Sequence, residues 1–236
     1  WCKKKSYRFI TLQECYAILS GKIRQEGKVA YLSFDDGWQS NLNLIPIIDK
    51  YQAPITIFVS IDPLLSGNFW WEYALADGIE LRNKMKLMSY KKFVSSLESL
   101  KKKYSLERSV LTEQELVKIA SHPLVSIQSH TMSHPILTNC DDEILSYELN
   151  SSKAYLENLL HHKIEAFSYP NGNFSNREIE AVKKAGYKMA FTTEYIPIQI
   201  NHTNLYRIPR MAMNTYGGYY ENLSKILGIW QDILKK

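Results

Sequence analysis

Val29-Ala30-Tyr31-Leu32-Ser33-Phe34-Asp35-Asp36-Gly37-Trp38 carries an apolar β-type run into two adjacent carboxylates and a glycine. Side chains on a strand alternate between faces, so the two acids leave the strand end in different directions. One can bind something while the other does separate work. In α/β folds, sites are built at the C-terminal ends of strands and in the loops that follow them. Adjacent Asp side chains there repel unless a cation or a shared proton relieves them. Taken alone, Asp-Asp-Gly also reads as a plain turn, so the rest of the chain decides.

Around this strand, helical and strand patterns alternate. Thr11-Leu-Gln-Glu14 is a capping box opening a helix to about Leu19, closed by Gly21. A helical stretch over 42–51 carries Pro46, which kinks it or marks its true start. Residues 54–60 read as a buried strand. Residues 61–110 lose the strand pattern and read as a helical insertion. Further on, the pattern predicts helices over 112–121, 141–161, 175–184 and 220–234. Strands are expected over 125–128, 164–169, 188–192, 198–200 and 205–211. Such alternation argues for a parallel α/β sheet or barrel forming one domain over 1–236.

The 236 residues are 45% hydrophobic and 22% charged, which fits a globular chain with a large core. No run of about 18 apolar residues is present, so no span of that kind is expected. The chain begins at Trp1, which suggests a fragment or processed product whose signal peptide or anchor would lie upstream. The compartment stays open between cytoplasm and cell envelope or secretion. Cys2, Cys15 and Cys140 lie far apart, against a disulfide framework or cysteine-based zinc site. The net charge of +5 includes two dense runs, Lys3-Lys4-Lys5 and Lys101-Lys102-Lys103. Both read as solvated faces, and no nucleic-acid-binding motif accompanies them.

The second chemical signal is His130-Thr131-Met132-Ser133-His134, directly after the strand at 125–128. Two histidines four apart would face the same way on a helical turn, with Ser and Thr neighbours available to orient the rings. With a carboxylate they make a His/His/Asp set, three ligands with an open position, as in catalytic metal sites. That set suits Zn, with Co, Ni, Mn or Fe as alternatives. If Asp36 is the ligand, Asp35 is left as general base. Tyr169-Pro170-Asn171-Gly172 is a third strand-end loop whose N–H groups could point into the same pocket as an oxyanion hole.

These three stretches together resemble the motifs of the polysaccharide deacetylases of carbohydrate esterase family 4, the NodB-homology domain. The (T/S)FDDG motif is matched by Ser33-Phe-Asp35-Asp36-Gly37, the paired-histidine motif by His130 to His134, and the aromatic-Pro loop by Ser168-Tyr169-Pro170-Asn171-Gly172. The resemblance is to members acting on N-acetylglucosamine polymers. It implies a distorted (β/α) barrel of about seven strands, its first strand lying before the start of this chain. It implies that Asp35 is the catalytic base, that Asp36, His130 and His134 hold a divalent metal (Zn first, then Co, Ni or Mn), and that the Tyr169 backbone helps hold the oxyanion. The third motif's usual arginine is absent here; Arg207 or Arg210 would supply its charge, and Arg210 is the residue assigned. The later motifs are not recognisable, and His202 is the candidate proton donor to the leaving amine.

The implied reaction is hydrolysis of N-acetyl, or O-acetyl, groups on an amino-sugar-containing poly- or oligosaccharide. Trp38, Trp71, Pro170 and Asn171 are the substrate-binding candidates, since aromatic rings cover the apolar face of a pyranose. Trp70 reads as core. Two alternatives stand beside this reading: a glycan-binding domain of the same fold that has lost catalysis, and a two-His-one-carboxylate non-haem iron oxygenase.

Overall fold

The computed structural model describes residues 1–196, 198, 200, 203–213 and 217–227. Six parallel strands stand in chain order: β1 (Tyr7–Ile10), β2 (Lys28–Phe34), β3 (Ile55–Val59), β4 (Val125–Ser129), β5 (Ala166–Ser168) and β6 (Met189–Phe191). Each pairs with the next, from Tyr7↔Lys28 at one edge to Ser168↔Phe191 at the other. Sequential parallel strands need crossovers of one hand, which keeps the connecting helices on one side and curls the sheet.

The two faces are both apolar, as parallel sheets require. Every residue of β3 is buried. Ile55, Ile57 and Val59 face outward with Leu116, Ile119, Leu145 and Leu149 of the surrounding helices. Phe58 faces inward with Ala166, Met189 and Phe191, where helix Leu12–Leu19 adds Leu12, Cys15, Ile18 and Leu19. Tyr31 stacks on Phe191 at 5.2 Å within this inner face. In the 61–110 region helix Ile61–Ser66 packs Ile61 and Leu64 into the main core, while helices Trp70–Asp77, Ile79–Met85 and Tyr90–Lys103 share a cluster of their own around Trp70, Tyr73, Met85, Phe93 and Leu100. No helix among the described residues is long and apolar enough to cross a membrane.

The capping box predicted at Thr11 forms, and Thr112 and Ser175 cap the helices expected over 112–121 and 175–184 in the same way. Pro46 marks the true start of helix Ile45–Tyr51, after a 3₁₀ turn over Gln39–Leu44. Several expectations change. Six strands are present among the described residues, and one of them, β1, was not expected from the sequence. Four residues beside a strong helix cap gave too short an alternation to recognise. The stretch 205–211 is not a strand; it contributes a bridge from Ile208 to Phe191, because Pro209 has no N–H to continue a ladder. Ile198 and Ile200 are not in a strand, and the rest of 197–202 falls outside the described residues, His202 included. The last helix is described over Gly218–Ile226.

Candidate active site

The site lies where β2, β4 and β5 end. At the end of β2 the chain turns through two consecutive left-handed residues, Asp36 at φ 77° and Gly37 at φ 76°. A left-handed Asp costs roughly 1–2 kcal/mol, and here it swings the two carboxylates apart. Gly37 is needed for space as well, since a Cβ there would stand 3.2 Å from Val59. Asp36 then points at the histidines, with Trp38 Nε1 donating to its Oδ2 at 3.0 Å.

His130 and His134 do not sit on a helical turn, contrary to the sequence-based expectation. They bracket a loop in which Thr131 (φ 76°) and His134 (φ 55°) take left-handed geometry, and this loop turns both rings inward. His130 Nε2 lies 3.6 Å and His134 Nε2 3.4 Å from Asp36 Oδ1, and the three candidate ligand atoms fall within 4.8 Å of one another. His130 Nδ1 is 2.7 Å from the Ser168 carbonyl. That partner fixes Nδ1 as the protonated nitrogen and leaves Nε2 with a lone pair, the usual second contact of a metal-ligating histidine. Burial lowers the proton affinity of both imidazoles, which favours the neutral, ligating form. Burial, then the Asp35 charge, pushes the Asp36 carboxyl up to about 7. Three converging donors, two of them neutral imidazoles and the third a carboxylate strained by its neighbour's charge, fit a divalent cation.

Asp35 is held quite differently. Arg210 grips it bidentately, Nη1 to Oδ1 at 2.8 Å and Nη2 to Oδ2 at 2.7 Å. Burial alone would raise this carboxyl, but the guanidinium overrides it and holds it at about 2. Arg210 also donates to Ser33 Oγ, Ser168 Oγ and the Thr192 carbonyl. Its guanidinium lies over Phe58 and Phe191, the inner face of the sheet. Arg207, the other candidate, pairs with Glu194 instead.

An open cleft of about 320 Å³ joins these groups, lined by Asp35, Asp36, His130, His134, Trp71 and Asn171 among others. Trp71 stacks on Phe69 and meets the His134 ring edge-on at 4.7 Å. Trp38 is not on the cleft wall; it braces Asp36 and packs on Phe69. Trp70 is core, its Nε1 bonded to the His134 carbonyl at 3.0 Å. The Tyr169 N–H is engaged, donating to the Phe191 carbonyl at 3.1 Å, and its ring is buried with the hydroxyl on the Tyr206 carbonyl. Tyr169 therefore cannot offer that N–H to an oxyanion. Pro170 has none, and Asn171, left-handed at φ 55°, is the first residue of the loop whose N–H donates to no described residue.

A family model described as polysaccharide deacetylase matches residues 22–190. The chain belongs to the polysaccharide deacetylase family. It is 26% identical over 216 residues to the poly-β-1,6-N-acetyl-D-glucosamine N-deacetylase of Staphylococcus aureus, covering 91% of this chain and 64% of that protein. It is 25% identical to YxkH of Bacillus subtilis, covering 94% of this chain and 67% of that one. The chain thus spans about two thirds of the length of these curated relatives. Two solved structures share the fold: the Streptococcus pyogenes deacetylase PplD in complex with acetate (TM-score 0.66, 22% identity, 94% of this chain and 80% of that one) and IcaB from Ammonifex degensii (TM-score 0.64, 16% identity, 96% and 84%).

Two supports of this site escaped the sequence. Ser168 ties it together, its carbonyl on His130 and its hydroxyl on Asp35 and Arg210. Glu148, fully buried, accepts from the N–H groups of Met132 and Ser133 at 2.8 and 2.9 Å, from Ser133 Oγ at 2.6 Å and from Tyr90 Oη at 3.2 Å. It clamps the histidine loop from behind. The available signal was a carboxylate on the helix stripe that otherwise carries Leu145, Leu149 and Leu156.

The loop after β5 allows a direct check. A Cβ on Gly172 would stand 1.9 Å from Thr193 Oγ1, at φ +74°. Gly172→Ala is expected to cost roughly 1–3 kcal/mol, lowering Tm by several degrees, and to depress deacetylase activity by moving Asn171. A melt and a rate both equal to wild type would show that the loop tolerates the shift.

Proposed function

We propose that this chain is a metal-dependent hydrolase that removes N-acetyl groups from an N-acetylglucosamine-containing glycan. The observation that carries the reading is the convergence of Asp36, His130 and His134 beside an Arg210-paired Asp35. Asp36, His130 and His134 would hold the divalent ion, Zn first by donor set. When bound, it supplies water acidification and carbonyl polarisation.

The remaining chemistry belongs to the chain. Arg210 keeps Asp35 ionised and fixes its orientation. A carboxylate held at about 2 is a weak base toward ordinary water, so its role requires an acidified one. Asp35 would take that water's proton as the oxygen attacks the acetyl carbon, a contribution of roughly 100- to 10,000-fold. Once protonated, so strong an acid is suited to return the proton to the leaving amine as the carbon–nitrogen bond breaks, giving acetate and the free amine. The Asn171 N–H is the oxyanion donor that the loop leaves available, worth roughly 3–4 kcal/mol. Trp71 offers the apolar wall for a sugar ring. The Asp35–Arg210 pair beside the ligand group favours hydrolysis over the binding-only and iron-oxygenase readings.

The test is acetate release from a panel of N-acetylated glycans, with chelator and with added Zn, Co or Mn. Release that stops with chelator and returns with metal is expected. Chelator-insensitive release, or binding of every glycan without release, would overturn the reading.

A further inference from the structure

The wall of the cleft facing the metal-ligand group comes from helix Ile79–Met85 and its cap. Arg82 and Lys86, one helical turn apart, both line the opening that holds Asp36, His130 and His134. Both are half-buried, whereas Lys84 between them points to solvent. The Arg82 guanidinium is steadied by its neighbour Asn83, whose Oδ1 accepts from Nε at 3.2 Å and Nη2 at 2.8 Å. Lys86 Nζ donates to Asn171 Oδ1 at 3.2 Å. Neither cation makes an ion pair with a carboxylate of the described residues. The two anions of the cleft are committed elsewhere, Asp35 to Arg210 and Asp36 to the ligand group.

Like charges four residues apart on a helix repel. Cations gain from the dipole at a helix C-terminus, which explains basic residues in this turn but not why two of them face the cleft. An uncharged sugar polymer would do nothing to relieve the repulsion. An anion would, and the pair suits one: a guanidinium fork matches the two oxygens of a carboxylate or phosphate, with an ammonium beside it as a point charge.

We propose that Arg82 and Lys86 form an anion subsite that selects N-acetylated glycans bearing a carboxylate or phosphate next to the scissile acetamide. This rests on the deacetylase reading and adds the substrate class to it. Acetate, the product, has related chemistry, so its inhibition constant is measured alongside.

The experiment compares two N-acetylglucosamine oligosaccharides of equal length, one neutral and one carrying a single carboxylate or phosphomonoester. Kd by calorimetry and kcat/KM by acetate release are read with the metal-loaded protein at low salt. The charged compound is expected to bind and react about ten-fold better, the order of one charge-assisted hydrogen bond. High salt should shrink the ratio. The double variant Arg82→Gln/Lys86→Gln should bring it near one, while Lys84→Gln on the exposed side leaves it at ten. Equal handling of both compounds by wild type, or a ratio that survives the double variant, overturns the subsite and leaves the deacetylase reading standing. A double variant that weakens acetate inhibition alone also overturns it. No acetate from either compound overturns the deacetylase reading, and the two Kd values then decide the subsite by the same ratio.

Discussion

His134→Ala is expected to abolish acetate release and to lose bound metal, at least as completely as Asp35→Asn reduces turnover. The asymmetry follows from what each residue holds. His134 is one of three ligand groups converging within 4.8 Å, and the ion they fit would lower a water's pKa from about 15.7 toward about 7. Asp35 supplies base catalysis worth roughly 100- to 10,000-fold. Asp35→Asn also leaves Arg210 without the carboxylate it grips at 2.7–2.8 Å, yet touches none of the ligand atoms. That variant should therefore keep its metal and retain a trace of activity. Elemental analysis with an acetate assay separates the two cases. Full activity in either variant, or a His134→Ala protein that keeps its metal, would contradict the scheme.

Glu148→Ala is expected to be the most destabilising single change near the site. Its carboxylate accepts from four donors, two of them the N–H groups of Met132 and Ser133. Burial pushes this carboxyl up, and the donors from Ser133 and Met132 pull it back. Truncation strands buried neutral donors at roughly 1–3 kcal/mol each, so a loss of about 3–5 kcal/mol is expected. That is a large part of the roughly 5–15 kcal/mol that a domain possesses. Glu148→Gln keeps the shape and one carbonyl acceptor, and its amide can donate to the hydroxyls of Ser133 and Tyr90, so it should lose much less. Urea unfolding checks both. An alanine variant as stable as wild type would show that the histidine loop is held by something else.

The strand-end chemistry was readable because each motif is local. Asp35 and Asp36 follow an apolar run, the histidines follow β4, and the Pro-Asn-Gly loop follows β5. What was hidden depends on distance in sequence. Arg210 reaches Asp35 from 175 residues away, and only the resemblance, not the spacing, drew attention to it. Ser168 and Glu148 act through hydrogen bonds that no periodicity encodes. One short element was also lost: β1 has four residues, below the length at which alternation is distinctive, whereas β6 falls inside the strand expected over 188–192. The long apolar strand β3 and the capped helices were legible for the opposite reason. The histidine pair misled in one respect, since a spacing of four suggested a helix where two left-handed residues make a loop. The Tyr169 backbone misled in another, because sheet pairing with β6 consumes the N–H that was expected to serve the oxyanion.

The most direct test of the account is an anomalous-scattering map collected at the zinc edge from crystals grown with zinc. A single strong peak is predicted at about 2.0–2.2 Å from Asp36 Oδ1, His130 Nε2 and His134 Nε2, with the Asp35 carboxylate beside it and still paired to Arg210. No peak between those three side chains, or a zinc held by other residues while Asp36 and the histidines stand apart, would contradict it.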